Sequence, residues 1–418
     1  MNKKFFSGLL TGLCTALLIF AVYGFVTVYV QSKTEDSDNK SFGKVKDQQT
    51  SEEKEAEEVP YDEIVEKLEF LQMLVDKYYL DDVKEISFSD GIYKGFIKSL
   101  EDPYSTYFTE KEYKALMESS SGVYCGIGAT VSQDAKTGII TIVKPFATGP
   151  AYKAGILPGD VIYKVNEEEV TGVDLTEVVS RMKGVEGTTV NISIVREDES
   201  NPLEFSIKRQ KIEVPTIEYQ MLDNKIGFIT IVEFDEVTVE QFKKAVNDLE
   251  KKGMKGLIVD VRNNPGGLLD SVVKILDRLL PPGLIVYTED KYKDREEENA
   301  VDKAKINVPM VVLINGQSAS AAEIFAGTLQ DYKTATIVGT TSFGKGIVQK
   351  VIPLSDGTAV KLTISKYYTP KGRNIHGTGI VPDVEIDLVE DMKKEIVIPL
   401  DKDNQLQEAI KVIKQKIK

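Results

Sequence analysis

An α/β fold is predicted for the C-terminal half of this 418-residue chain, behind a β-rich module and a helical segment. Three observations carry that reading. Beyond Val214 the apolar runs KIGFITIVEF (225–234), GLIVDV (256–261) and VPMVVLI (308–314) alternate with helical patterns, as a buried and largely parallel sheet requires. Upstream, GIITIV, DVIYKV, TVNISIV and LEFSIKR are short runs between residues 138 and 209, divided by Gly, Pro and Asn turns. Before residue 120, apolar residues instead recur three or four apart.

The elements follow in chain order. Phe5 to Val30 is an uncharged run of 26 residues, longer than the ~20 that cross a bilayer. Lys3 and Lys4 precede it and Glu35, Asp36 and Asp38 follow, so the positive-inside rule predicts a single-pass anchor in the cell membrane. Residues 1–33 are then a cytoplasmic start plus anchor, and everything after is extracytoplasmic. A cleaved signal peptide competes, but no A-x-A site follows the apolar run. A lipoprotein reading is disfavoured by bulky Leu13 before Cys14. Residues 34–60 hold nine acidic and four basic residues with almost no apolar ones, the composition of a flexible tether.

Over 61–120, Ile64, Leu68, Leu71 and Val75 predict one helix, and Ile92, Phe96 and Leu100 predict a second, capped by Ser89. Thr109 and Glu112 predict a third that opens with a capping box. The expected role of this segment is packing or self-association, with a homodimer through these helices. Residues 121–213 form the β-rich module, with one helix over DLTEVVSRM (174–182). Residues 214–418 form the α/β domain, whose first helix is expected to open at Thr238 with Gln241 as box partner.

Composition narrows the chemistry. A charge of -14 without a basic run argues against a nucleic-acid partner. Cys14 and Cys125 form no CxxC pair, which argues against a disulfide framework or a cysteine-ligated zinc. His376 is the sole histidine, so no multi-histidine metal centre exists and only one Ser-His-Asp arrangement could be built. No metal or organic cofactor is implied.

Two loops follow the carboxyl ends of predicted parallel strands, where sites form in such sheets. In Asn315-Gly316-Gln317-Ser318-Ala319-Ser320, a serine at a strand-to-helix junction lies near helix N–H groups that stabilise an oxyanion. Ser318 and Ser320 equally suit helix caps. Arg262-Asn263-Asn264-Pro265-Gly266-Gly267 has glycines that let N–H groups face a cavity, or simply turn tightly. Lys345, flanked by glycines in FGKG, serves either as an exposed turn lysine or as a base for a serine, its amine neutralised by desolvation.

Together these segments resemble the carboxy-terminal processing peptidases, or tail-specific proteases. The resemblance runs from about Glu63 to Ile413 and includes GIYKGFIKSLEDPYSTYF, GIGA, GILPGDVIYKVN, DVRNNPGGLL, SASAAEIFAGTLQD, FGKGIVQ, YYTPKGRNIHGTGIVPD and DNQLQEAI. It implies a crotonase/ClpP-like mixed-sheet protease domain with an inserted PDZ-like domain. It further implies Ser320 as nucleophile, Lys345 as general base and Gln349 as the residue orienting the lysine. Gly266 and the amide of Ala321 would form the oxyanion hole. Where the family pattern has DPHS, this chain has Asp102-Pro103-Tyr104-Ser105, a position not catalytic in the family. His376 is expected to be structural, and Glu323 to be explained by its place in a first helical turn.

The PDZ-like module supplies the substrate expectation. Gly126, Ile127 and Gly128 would offer N–H donors to a terminal carboxylate, with Val178 and Met182 lining a side-chain pocket. The expected partners are protein substrates with free, apolar C-termini. The expected function is a membrane-tethered Ser-Lys endopeptidase. Two rivals are a catalytically silent anchored PDZ scaffold and an acyl-CoA enzyme of the crotonase architecture.

Overall fold

The computed structural model describes residues 59–83, 87–197, 199–302, 306–394 and 398–417. The anchor, nearly all of the tether and Cys14 lie outside the described residues. Among the described residues no helix is long and apolar enough to cross a membrane, and Cys125 is a free thiol. The described chain divides into two compact units, with the boundary in sequence between Phe96 and Ile97.

The first unit holds helix α1 (Tyr61–Tyr78) and most of α2 (Phe88–Lys98). Asp62 and Glu63 in the first turn of α1 and Lys77 in its last complement the helix dipole. Ser89 is not the cap expected for α2: the helix starts one residue earlier, and Ser87 Oγ accepts from the Asp90 N–H at 3.3 Å.

The second unit opens with β1 (Thr106–Phe108) and α3 (Glu110–Ser121). The capping box of α3 is complete, with Glu112 N–H donating to Thr109 Oγ1 and Thr109 N–H to Glu112 Oε2. The β-rich module follows. Its strands are β2 (Val123–Gly126), β3 (Ala129–Gln133), β4 (Ile140–Pro145), β5 (Val161–Val165), β6 (Glu168–Glu169), β7 (Thr189–Val195), β8 (Leu203–Lys208) and β9 (Gln210–Glu213). Short α4 (Pro150–Ala154) and α5 (Leu175–Met182) cover it. The antiparallel sheet runs β3-β4-β5-β7-β8, and the β2–β9 pair joins the two ends of the module. Asp174 caps α5, its Oδ1 accepting from the N–H groups of Thr176 and Glu177.

The remaining elements are β10 (Ile217–Leu222), β11 (Ile226–Ile231), α6 (Thr238–Lys251), β12 (Gly256–Asp260), α7 (Leu269–Asp277), β13 (Gly283–Asp290), β14 (Arg295–Ala300), β15 (Met310–Ile314), α8 (Ala321–Asp331), β16 (Ala335–Gly339), β17 (Ile347–Pro353), β18 (Ala359–Tyr368), β19 (Val384–Glu385) and α9 (Asn404–Lys414). One sheet runs β10-β11-β12-β15-β16-β19, parallel from β11 onward. Its residues alternate between two cores. Leu257, Val259, Val312 and Ile314 pack with residues of α6, α7 and α8, while Ile258, Val311 and Leu313 pack against Leu406, Ala409 and Ile413 of α9. Burial on both faces explains why these strands read as unbroken apolar runs.

A second, antiparallel sheet runs β1-β18-β13-β14, with β17 also on β18. The stretch before residue 120 therefore contributes more than helices, because β1 is an edge of this sheet. Gln241 also departs from expectation. Its Oε1 accepts from the Thr216 N–H at 2.9 Å and its Nε2 donates to Val214 O, so it braces the chain entering β10 rather than capping its own helix.

Candidate active site

The loops after β12 and β15 leave adjacent parallel strands and are fastened together. Asn263 N–H donates to Asn315 Oδ1 at 3.0 Å, and Asn315 Nδ2 donates back to Asn263 Oδ1 at 2.8 Å. Ser318 Oγ donates to Val261 O at 2.7 Å, and Ala319 N–H to Asn264 O at 3.0 Å. Ser318 is thus a fastener between loops. Below them, Arg262 is held by Asp260 and by Asp403 and Gln405 at the start of α9.

Ser320 stands at the N-terminus of α8, only 2% exposed, with φ +53° and ψ -115°. A positive φ at a non-glycine residue stores strain that the surroundings must hold. Gly266, at φ +110°, packs against it: a Cβ there would lie 2.8 Å from Ser320 Cβ and 3.0 Å from the Ala321 nitrogen. Gly266 N–H itself donates to Asn264 Oδ1 at 2.8 Å, so the amide expected in the oxyanion hole is engaged within its own loop. What the structure assigns to Gly266 is close approach. The Ala321 amide lies at the first position of the helix, beside it.

Lys345 is 1% exposed. Burial, and secondarily the nearby Lys361, lower its pKa to about 7, against the opposing pull of Asp102 and Glu323. The amine lies 4.6 Å from the ring centroid of Tyr104. Lys361 is itself buried and drawn down to about 8 by desolvation. Gln349, on β17, is fully buried, and its Nε2 donates to Thr363 Oγ1 at 3.3 Å. Its Oε1 is a buried acceptor without a donor among the described residues.

Glu323 links the Ser320 loop to the Lys345 loop. Its carboxylate accepts from the N–H groups of Ser320 (2.9 Å), Gly344 (2.7 Å) and Lys345 (2.8 Å) and from Ser342 Oγ (2.5 Å). Burial raises its pKa despite those four bonds. Glu323 stands in the first helical turn, as expected, and beyond that placement it binds the Lys345 loop. The signal available in sequence was its S-x-x-E spacing from Ser320.

The Asp102–Ser105 turn also reaches the site. Ser105 Oγ donates to Asp102 Oδ2 at 2.5 Å and accepts from the Thr363 N–H at 3.1 Å. Burial would raise the Asp102 pKa, but hydrogen bonds from Ser105, Thr363 and the Tyr104 N–H outweigh it and hold the carboxyl below its usual range. No sequence spacing announced that Tyr104 would cover a lysine more than 200 residues away. His376 is exposed, and its main chain packs against Gly346.

A curated relative, the "Carboxy-terminal processing protease CtpA" of Bacillus subtilis, is 42% identical over 300 residues, 72% of this chain. The aligned stretch spans 64% of that relative's own length. A "Probable CtpA-like serine protease" of Staphylococcus haemolyticus is 38% identical over 354 residues, 84% of this chain and 70% of the relative. The family model for peptidase family S41 matches residues 225–386, and the PDZ domain model matches 116–195. The model described as the activating protease CtpB N-terminal domain matches 20–112. The chain belongs to the carboxy-terminal processing proteases of family S41. A solved S41 protease structure from Bacteroides fragilis, 18% identical, shares the fold with a TM-score of 0.52, covering 81% of this chain and 93% of that one.

In this S41 chain the PDZ domain holds the second set of predicted residues. Gly126 ends β2, and Ile127 and Gly128 lie between β2 and β3, where Ile127 O accepts from Ala151 N–H and Gly128 O from Phe146 N–H. Tyr124 folds over Gly126, and its hydroxyl lies against the N–H groups of Ala129 and Gly128. Burial pushes that phenol up to about 12. Val178 and Met182, expected to line an open pocket, are instead buried in the module's core with Ile140, Ile192 and Ile194. Their four-residue spacing marks the inward face of α5. Leu175 and Val179 on the same helix are only half-buried.

Proposed function

We propose that this chain is a membrane-tethered serine endopeptidase of the C-terminal processing type, working by a Ser-Lys mechanism. The observation that carries the mechanism is the desolvated Lys345, with a pKa near 7, tied through Glu323 to Ser320 at a helix N-terminus. A neutral amine can take the serine proton, which an ammonium cannot.

In this reading Ser320 Oγ attacks the scissile carbonyl as its proton passes to Lys345 Nζ. The Ala321 amide, at the first position of the helix, is the donor to the developing oxyanion, and Gly266 packs closely beside it. The ammonium then protonates the leaving amine, and the carbonyl–nitrogen bond breaks to give an acyl-enzyme. Water, losing its proton to the regenerated amine, hydrolyses the ester and frees Ser320. The Tyr104 ring face favours the transient ammonium, and Gln349 Oε1 is a suitable acceptor for it.

Substrate choice is assigned to the PDZ domain, whose Gly126–Ala129 loop would capture a terminal carboxylate. The uncharged run over residues 5–30 supports the anchor, with the catalytic domain outside. Exposed Phe70, Leu71 and Met73 on α1 support self-association through the helical unit.

The test uses soluble protein from residue 60, as wild type, Ser320→Ala and Lys345→Ala, with one unfolded protein carrying an apolar or a charged C-terminal tail. Mass spectrometry of the fragments should show cleavage that depends on both residues and favours the apolar tail. Cleavage by Ser320→Ala at the wild-type rate would sink the mechanism. Equal cleavage of both tails would sink the recognition.

A further inference from the structure

The four main-chain polar groups of Ser320 and Lys345 converge on two side chains. Both N–H groups donate to Glu323 Oε2, at 2.9 and 2.8 Å. Both carbonyls face the hydroxyl of Tyr367, Ser320 O at 3.1 Å and Lys345 O at 2.6 Å. A phenol has one proton, so the shorter contact is the principal bond, and it goes to the lysine. Ser320 O has other donors in the Glu323 and Ile324 N–H groups. Tyr367 also holds the next residue, since its N–H donates to Gly346 O at 3.1 Å.

Tyr367 is 1% exposed, and burial with the nearby Glu323 charge keeps its phenol protonated far above neutrality. It is therefore a permanent donor that water is poorly placed to replace. The residues it joins lie on separate loops, and one of them is held at a strained φ. Without such ties, the loops are free to drift apart by the fraction of an ångström that proton transfer does not tolerate.

We propose that Tyr367 is a positioning residue for the hydrolytic reaction, fixing, with Glu323, the main chain of Lys345 against that of Ser320. The proposal rests on the Ser-Lys reading above. It assigns Tyr367 no contact with substrate. Its loss should therefore slow chemistry and leave substrate binding alone.

The experiment compares wild type, Tyr367→Phe, Glu323→Gln, the double variant and Ser320→Ala, all as the full chain. The readouts are peptide kcat and KM, the rate of labelling by a serine-directed fluorophosphonate, and thermal unfolding. Tyr367→Phe should lower kcat about 10- to 100-fold with KM within about two-fold, and slow labelling by the same factor. Glu323→Gln should show the same split, and the double variant should lose less than the product of the two, because both ties hold one pair of residues. Wild-type kcat in folded Tyr367→Phe, or a loss carried by KM, would overturn the proposal while silent Ser320→Ala leaves the Ser-Lys reading standing. If Tyr367→Phe does not fold, a Glu323→Gln variant with wild-type kcat overturns it equally. Labelling of Ser320→Ala at the wild-type rate would instead remove the reading on which the proposal depends.

Discussion

The Ser320 loop and the Gly126–Ala129 loop both present backbone N–H groups beside glycines, yet they are secured in opposite ways. Around Ser320, buried side chains grip the main chain: Glu323 takes its N–H, Tyr367 lies at its carbonyl, and Gly266 packs against its Cβ. Around Gly128, the carbonyls are pinned by neighbouring main chain, while the N–H side faces the hydroxyl of Tyr124. The first loop is preorganised, as transition-state stabilisation requires. The second is covered by one side chain that a ligand carboxylate could displace, as a binding loop requires.

The largest expected effect tests whether the two loops are separable. Ser320→Ala should reduce cleavage by about 10⁴-fold or more while leaving the affinity of the PDZ domain for a C-terminal peptide unchanged, as measured by fluorescence anisotropy. A joint loss of both would break the comparison. Gly266→Ala comes next, at about 10²-fold in kcat, because its Cβ would collide with Ser320 at a φ that disfavours side chains. Peptide affinity should again not move.

A pH profile sharpens the electrostatic half of the comparison. With Lys345 at about 7, kcat should rise with pH through about 7, since the protonated amine cannot accept the serine proton. Lys361→Met removes a like charge and should move that limb upward, costing a few-fold in rate at pH 7. The sign for stability follows from the same depression. Folded Lys345 gives up its proton near 7 and the unfolded residue near 10.5, so its contribution is complete above 10.5 and is lost progressively as pH falls to about 7. Denaturant midpoints of Lys345→Met should lack that slope.

The smallest effects fall in the PDZ domain. Tyr124→Phe keeps the ring over Gly126 but removes the oxygen that faces the loop amides, so a free-carboxylate peptide should bind a few-fold tighter. An amidated peptide should bind weakly to both forms. Unchanged affinity would mean that the Gly126–Ala129 loop is no more occupied than the Ser320 loop. Asp174→Ala should cost about 1 kcal/mol of stability through its lost cap and leave cleavage untouched, which calorimetry with a peptide assay would check.

Much of this protein was legible from local pattern. The runs at 256–261 and 308–314 announced a sheet buried on both faces, and Thr109 with Glu112 announced the start of a helix. Serine and lysine at glycine-rich junctions marked the candidate site, helped by the family resemblance. The errors share one cause. Gln241 was read as the partner of its own helix terminus, but a tertiary neighbour claimed it and it braces β10; Glu323 does stand at its own helix terminus, and the distant residues 344 and 345 add to that role. Val178 and Met182 were read as a pocket, but four-residue spacing on a short helix identifies an inward face without saying whether it meets a ligand or a core.

What the sequence by itself determined is the alphabet of the site and its scaffold: strand periodicity, helix starts, a single histidine, and a serine and a lysine set among small residues. Those depend on interactions within a few residues, which spacing reports. The folded chain alone decided that Lys345 is stripped of water, that Tyr104 and Lys361 are its neighbours, and that Tyr367 ties it to Ser320. Desolvation and like-charge repulsion act through space, between residues that the chain separates by as many as 241 positions, from Tyr104 to Lys345, and no local pattern encodes them.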